Sequence, residues 1–125
     1  MTDPADDAVL EIRTYRLRPG TGAQFDRLFR DRARPLLDRY GIDVVWHGPS
    51  IDDPDSYILI RAFGSAMARS REESAFYGSA EWHEGPREPI LALIETYHTI
   101  VLAAQPSTID GLRRIAPAAG RAGPG

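Results

Sequence analysis

Residues 56–63 read SYILIRAF, the clearest strand in the chain, and its alternation limits the possible folds sharply. Tyr57, Leu59, Arg61 and Phe63 fall on one face, with Ile58, Ile60 and Ala62 on the other. Both faces are mostly apolar, so both need cover, and the one arginine among the aromatics needs a carboxylate. A strand of this kind belongs in the middle of a sheet.

The rest of the chain supplies its neighbours. Residues 8–17, AVLEIRTYRL, alternate as a strand and stop at Pro19-Gly20. From Thr21, the positions Phe25, Leu28, Phe29, Ala33, Leu36, Leu37 and Tyr40 recur at helical spacing, with Gly41 as C-cap and Pro35 as an expected kink. A short strand over 42–48, a turn at IDDPDS, a helical region over 65–76, a helix from Pro86 through Glu95 and a last strand over 97–102 complete the pattern. Strand, helix, strand, strand, helix, strand is the α+β, ferredoxin-like βαββαβ order, one antiparallel sheet with its helices on one face. The expected boundaries are a disordered N-terminus over 1–7, the domain over 8–102, and a mobile Ala-, Gly- and Pro-rich tail over 103–125 with one turn around Ile109 to Ile115.

Such a sheet buries one face under its helices. The uniformly apolar face, with Leu10, Ile12, Ile58, Ile60, Ile100 and Leu102, is expected to take that place. The other face carries Val9, Tyr15, Leu17, Tyr57, Leu59, Phe63, Tyr97 and Val101 beside Glu11, Arg13 and Arg61, and is expected to pack against a second copy in a homodimer.

Composition removes several kinds of chemistry. The chain has 125 residues, 42% of them hydrophobic, enough for one domain with one core. Fifteen basic and eighteen acidic residues, without blocks, argue against nucleic-acid and membrane partners. All fifteen bases are arginine, which removes lysine Schiff-base and general-base chemistry. With no cysteine there are no disulfides or thiolate nucleophiles. The acidic start MTDPADD and the lack of a long apolar run point to a cytoplasmic protein. His47, His83 and His98 have no metal-ligand spacing, and there is neither a phosphate loop nor a nucleophile elbow, so no metal or cofactor is expected.

Three stretches, LEIRTYRLRPGTGAQFDRLF, GIDVVWHGPS and FYGSAEWHEGPREPILALIETY, resemble the NIPSNAP family in its small bacterial branch, within the dimeric α+β barrel superfamily. The similarity runs over residues 9–102, and the FYGS-x-EW-x-x-GPRE block is its most specific part. The resemblance implies the same fold and a dimer but little chemistry, because the family has no agreed activity. Its superfamily includes cofactor-independent monooxygenases, cyclases, isomerases and haem proteins, which leaves haem as a minor alternative to a cofactor-free site.

Candidate site residues follow from side-chain chemistry. Unbroken helical geometry would align His83, Arg87, Ile90 or Leu91, and Ile94 at the mouth of an apolar pocket, with Trp82 beside them, although Gly85-Pro86 interrupts the helix. The structural alternative has Ser79 capping a turn, Trp82 plugging the core and Arg87 paired with a carboxylate. Arg13 and Arg61, on adjacent central strands, either hold an anionic substrate group or pair internally with Glu11 or Glu95. His47, leading into the Gly48-Pro49 loop, and His98 are further candidate bases, since histidine titrates nearest neutrality. Tyr15, Tyr57, Tyr77 and Tyr97 could stack on or hydrogen-bond a flat polar ligand, and Trp46 is a further candidate for substrate binding. Together these residues suggest a small cofactor-independent tailoring enzyme, of monooxygenase or cyclase/isomerase type, acting on a hydrophobic, aromatic or polyketide-like substrate in a cavity between sheet and helices. His83 or His47 would move the proton, and Arg61 or Arg87 would steady the oxyanion. The alternative is a non-catalytic small-molecule-binding or scaffold module.

Overall fold

The computed structural model describes residues 7–116. The alternating segments form four strands, β1 (Val9–Leu17), β2 (Asp43–Pro49), β3 (Ser56–Phe63) and β4 (Ile94–Ala103), paired antiparallel in the order β2-β3-β1-β4. This is the expected ferredoxin-like α+β sheet, with β1 and β3 at its centre. In the register of that central pair, Glu11 stands directly opposite Arg61. They are the two fully buried charged residues among those described.

The first helical run, α1 (Gly22–Leu28), passes through one wider π-type segment over Phe29–Ala33 into α2 (Arg34–Arg39). Arg34 N–H donates to the carbonyl of Phe29, five residues back. Proline has no amide hydrogen to give and crowds the preceding turn, so the widened turn before Pro35 takes the place of the expected kink. Gly41, at φ +75°, closes the run in the left-handed conformation that suits glycine. After β3 come α3 (Ala66–Tyr77), α4 (Ala80–Glu84) and α5 (Arg87–Leu91). The last of these ends four residues earlier than the proline-led pattern suggests, and β4 begins at Ile94.

The assignment of sheet faces requires correction. The helices lie on the aromatic face: Tyr15, Leu17, Tyr57, Leu59 and Phe63 form one cluster with Phe25, Phe29, Leu36, Leu37, Phe76 and Trp82 from the helical layer. Helical aromatics meet strand aromatics, with Phe25 at 4.8 Å from Tyr57 and 5.3 Å from Tyr15 between ring centroids. Rings of this size remove more apolar area from water than the aliphatic face offers. The aliphatic face is therefore the outer one. There, among the described residues, Leu10, Val45, Ile60 and Ala62 pack with Ile109 of a C-terminal helix, α6 (Pro106–Leu112), while Ile100 and Leu102 stay 63% and 46% exposed.

The folded chain thus extends beyond residue 102. Pro106 starts α6, Ile109 is its one buried anchor, and Arg113 reaches back to Asp43 at 2.6 and 2.8 Å. The expected disorder over residues 1–6 and the tail beyond 116 lie outside the described residues. Removing the anchor tests whether α6 belongs to the cooperative unit. Ile109→Ala should lower unfolding free energy by about 2 kcal/mol in a urea titration, whereas an unchanged midpoint would make α6 a passenger.

Candidate functional site

The segment from Phe76 to Arg87 builds one wall of a cavity between the helices and the β1–β4 side of the sheet. Gly78 ends α3, and the Ser79 hydroxyl caps α4 by accepting from the Trp82 amide at 3.1 Å. Trp82 turns inward and packs edge-on to Tyr77, 5.4 Å away. At Gly85 an added Cβ would lie 2.5 Å from the carbonyl of Glu81, so only glycine allows α4 to close against the next turn. That tight passage sets α5 beside α4.

His83, Arg87, Ile90, Leu91 and Ile94 all face the same cavity, the stripe that helical spacing suggests, despite the Gly85-Pro86 interruption. The cavity holds about 390 Å3, within the range of small-molecule pockets. Tyr15, Tyr77, Trp82 and Tyr97 give it aromatic walls, Arg13 and Glu73 lie towards its inner end, and exposed His83 and half-buried Arg87 stand at the rim.

Five of the expected residues, Arg61, His47, Trp46, Tyr57 and the exposed His98 of β4, do not line this cavity. Arg61 sits beneath the cavity with every nitrogen engaged: Nε donates to Glu11 at 2.8 Å, Nη1 to the Tyr77 hydroxyl at 2.8 Å, and Nη2 to Glu11 and to Glu73, the latter at 3.1 Å. With no exposure and four of its N–H groups given to Glu11, Glu73 and Tyr77, such an arginine is architecture. His47 is directed to the helix side by an irregularity between Val44 and Trp46, away from the cavity. Its Nδ1 lies 2.7 Å from the Tyr57 hydroxyl, which donates to Asp26 at 2.6 Å. Because the tyrosine proton goes to Asp26, the network assigns the histidine proton to Nδ1. Burial and the Arg34 charge lower the His47 pKa, and burial with the Asp26 hydrogen bond raises that of Tyr57. Trp46 lines a different depression of about 460 Å3 on the aliphatic face, with Ile58 and Ile60.

Two residues matter more than their sequence context suggests. Glu11 accepts from Arg61 and, at 2.9 Å, from Arg69, while Arg69 also lies 3.5 Å from Glu73. Burial opposes ionisation at Glu11, but the Glu73 hydrogen bond and the Arg61 and Arg13 charges overcome it, holding its pKa far below the usual carboxylate range. Glu73 receives the opposite treatment. Burial first, then the hydrogen bond to Glu11 and its negative charge, push Glu73 up to about 7. The two carboxylates are thus driven apart, with Glu73 lining the cavity and Glu11 fully buried behind it. A sequence signal for it exists: Arg69, Glu73 and Tyr77 are spaced by four and share one face of α3.

Tyr77 completes the arrangement. Its oxygen accepts from Arg61 Nη1 at 2.8 Å and from Arg13 Nη1 at 3.3 Å, leaving its own proton as its remaining hydrogen-bonding capacity. Arg13 is steadied by Thr99 at 2.9 Å and by the Tyr97 ring, 5.0 Å from its guanidinium carbon. Its Nη2, 3.9 Å from Glu11, makes no hydrogen bond. The inner end of the cavity therefore offers a hydroxyl proton, guanidinium N–H groups and a carboxyl poised to exchange a proton.

Solved structures with the same backbone arrangement carry related names. A NIPSNAP family protein from Agrobacterium tumefaciens superimposes with a TM-score of 0.72 at 17% identity, covering 79% of this chain and 94% of its own. The chain has the fold of the NIPSNAP proteins. A second protein of that family from the same bacterium, of unknown function, gives 0.72 at 22% identity over 79% of this chain and 89% of its own. A putative antibiotic biosynthesis monooxygenase from Bordetella bronchiseptica gives 0.63 at 22% identity over 79% and 98%. No protein-family model matches the sequence, and no curated protein matches it either. Among the described residues there is no cluster of three or more histidine and acidic side chains fit to hold a metal, and no helix long and apolar enough to cross a membrane.

The opposed glutamates give stability a defined pH response. Between the ordinary glutamate value of 4.5 and about 7, the folded chain keeps a proton on Glu73 that the unfolded chain releases, so stability falls as pH rises through that window. Glu11 contributes in the other direction, with stability lost as pH falls below the usual carboxylate range. Glu73→Gln, which mimics the protonated form, should remove the upper response, worth on the order of 1–3 kcal/mol. Calorimetry at about pH 5 and about pH 8 should show the difference in Tm shrinking in the variant; identical profiles would mean that Glu73 is ordinary.

Proposed function

We propose that the helix-side cavity is the active site of a small cofactor-independent enzyme acting on a planar, largely apolar molecule with an enolisable or phenolic oxygen. The observation that supports this reading most is the meeting, at one end of an aromatic-walled cavity, of Glu73 with the donor groups of Tyr77 and Arg13. A carboxylate whose pKa lies near neutrality is a competent general base at neutral pH, because a substantial fraction is ionised and its conjugate acid is not too weak to return the proton. Glu73 would take a proton from the carbon next to a carbonyl. The C–H electron pair would pass to the carbonyl oxygen, and Tyr77 and Arg13 would hold the resulting enolate. Returning the proton at another carbon gives an isomerisation or prepares a cyclisation. Capture of the enolate by molecular oxygen would be the monooxygenase route, in keeping with the monooxygenase-named neighbours of this fold.

Compared with the expectations from sequence, this reading moves the base from His83 or His47 to Glu73, and the oxyanion partner from Arg61 or Arg87 to Arg13. Exchange of the α-protons of 2-tetralone in D2O, followed by NMR, tests the reading. The protein should accelerate exchange, and Glu73→Gln should reduce the acceleration by about 10²–10⁴-fold. No acceleration over buffer would leave the cavity as the pocket of a binding module.

We also propose that two copies associate, through the aliphatic face rather than the aromatic one. Ile100 and Leu102 stand exposed there beside partly covered Ile12, Ile58 and Trp46, an apolar surface that water disfavours. Sedimentation equilibrium should give a dimer mass for the wild type and a monomer mass for Ile100→Asp; a monomeric wild type at micromolar concentration would end the proposal.

A further inference from the structure

The arginines of this chain separate by what they touch. Those that are not fully exposed are Arg13, Arg34, Arg61, Arg69 and Arg87. The first four each lie within salt-bridge distance of a carboxylate: Arg13 and Arg69 with Glu11, Arg34 with Asp38, and Arg61 with Glu11 and Glu73. Among the described residues, Arg87 pairs with none, although it is partly withdrawn from water at the rim of the cavity. Removing a guanidinium from water costs free energy unless an anion or hydrogen-bond acceptor compensates. Nearby Glu88 and Glu84 are exposed, and the cavity lining includes no carboxylate other than Glu73 at the inner end. Exposed His83 adds a second nitrogen-bearing side chain to the same rim.

We propose that Arg87 is a specificity-determining residue that binds an anionic group, a carboxylate or its equivalent, at the end of the ligand remote from Tyr77 and Arg13. This rests on the cavity being a ligand site, as proposed above, and narrows the ligand class: a planar conjugated acid whose oxygen-bearing end goes in first and whose carboxylate stays at the rim. A planar guanidinium matches a carboxylate through two parallel N–H···O bonds, which fixes the orientation of a flat ligand as well as adding affinity. The α5 scaffold supports the assignment. Arg87 is the first residue of α5, and Ile90, three positions later on the same face, is buried in the core, so the short helix that presents the guanidinium is tied down directly beside it.

The test uses two flat probes of one shape, 6-hydroxy-2-naphthoate and its methyl ester, with binding read from Trp82 fluorescence in a Trp46→Phe background. The acid should bind at least about tenfold more tightly than the ester. Arg87→Gln should abolish that preference while leaving ester affinity within about twofold, and Arg87→Lys should restore part of it. The preference should also shrink with added salt, as a half-exposed ion pair requires. Equal affinities in the wild type, no binding of either probe, or a preference that survives in Arg87→Gln would overturn the proposal. Loss of the preference in Arg13→Gln but not in Arg87→Gln would also overturn it, because the anion would then sit at the inner end. Its failure is distinguishable from that of the catalytic reading: tetralone exchange without an acid preference retains the enzyme and removes this role for Arg87, and an acid preference without exchange does the reverse.

Discussion

The pairing of Arg61 with Glu11 is the constraint on which the rest of the structure depends. The two residues face each other across the central strands with no measurable exposure, under an aromatic layer. Neither charge could be left there alone, since removing one partner of a buried pair typically costs about 3–5 kcal/mol. The pair therefore also resists any slip of β1 against β3, because a shift of one residue would send Glu11 to the opposite face from Arg61. It settles the position of α3 as well. That helix buries only Ala68 and Phe76, too little apolar surface to dock firmly by itself, and Arg69, Glu73 and Tyr77 instead join it to the ion pair.

Electrostatic surplus follows from this arrangement. Arg13, Arg61 and Arg69 supply three positive charges to Glu11 and Glu73, so the cluster is positive even when both acids are ionised. Glu11 takes the larger share of the donors and stays ionised. Glu73 is left with the weaker share, and the proximity of Glu11 raises its pKa. The asymmetry needs no unusual geometry. It results from placing two carboxylates around the shared guanidiniums of Arg61 and Arg69, both nearer Glu11 than Glu73, with Arg13 on the Glu11 side, in a region of low dielectric.

Much of this arrangement is legible in the amino-acid sequence. The period-two pattern marks β1 and β3 to within a residue, because a strand with a buried neighbour on each side cannot tolerate a register error. The rim stripe of His83 and Arg87 is readable from helical spacing. The sheet faces are not. A uniformly aliphatic face looks like core and a face holding arginines looks like an interface, but Phe25, Phe29, Phe76 and Trp82 on the helices need aromatic partners, and Arg61 needs acceptors from a neighbouring layer. The i,i+4 row on α3 holds that information in charges, which a search for apolar periodicity passes over. His47 departs from expectation for a smaller reason, since the irregularity after Val44 shifts the later residues of β2 relative to a regular strand. A single apolar anchor, Ile109, is likewise too weak a pattern to announce α6.

In a chain whose only permanently cationic side chains are arginines, the residue type alone says little about function, and the number of satisfied donors says more. Arg61 is the most buried and the most fully bonded, so it can hold the fold together but cannot meet a ligand without first breaking it. Arg13 is intermediate, anchored through Nε and Nη1 but with Nη2 free of hydrogen bonds at the inner end of the cavity. Arg87 is the least committed, held in place by the packing of its helix rather than by a partner of opposite charge. This gradient runs from the centre of the sheet to the rim of the cavity. The central pair answers to the fold, whereas each step outward leaves more donors uncommitted.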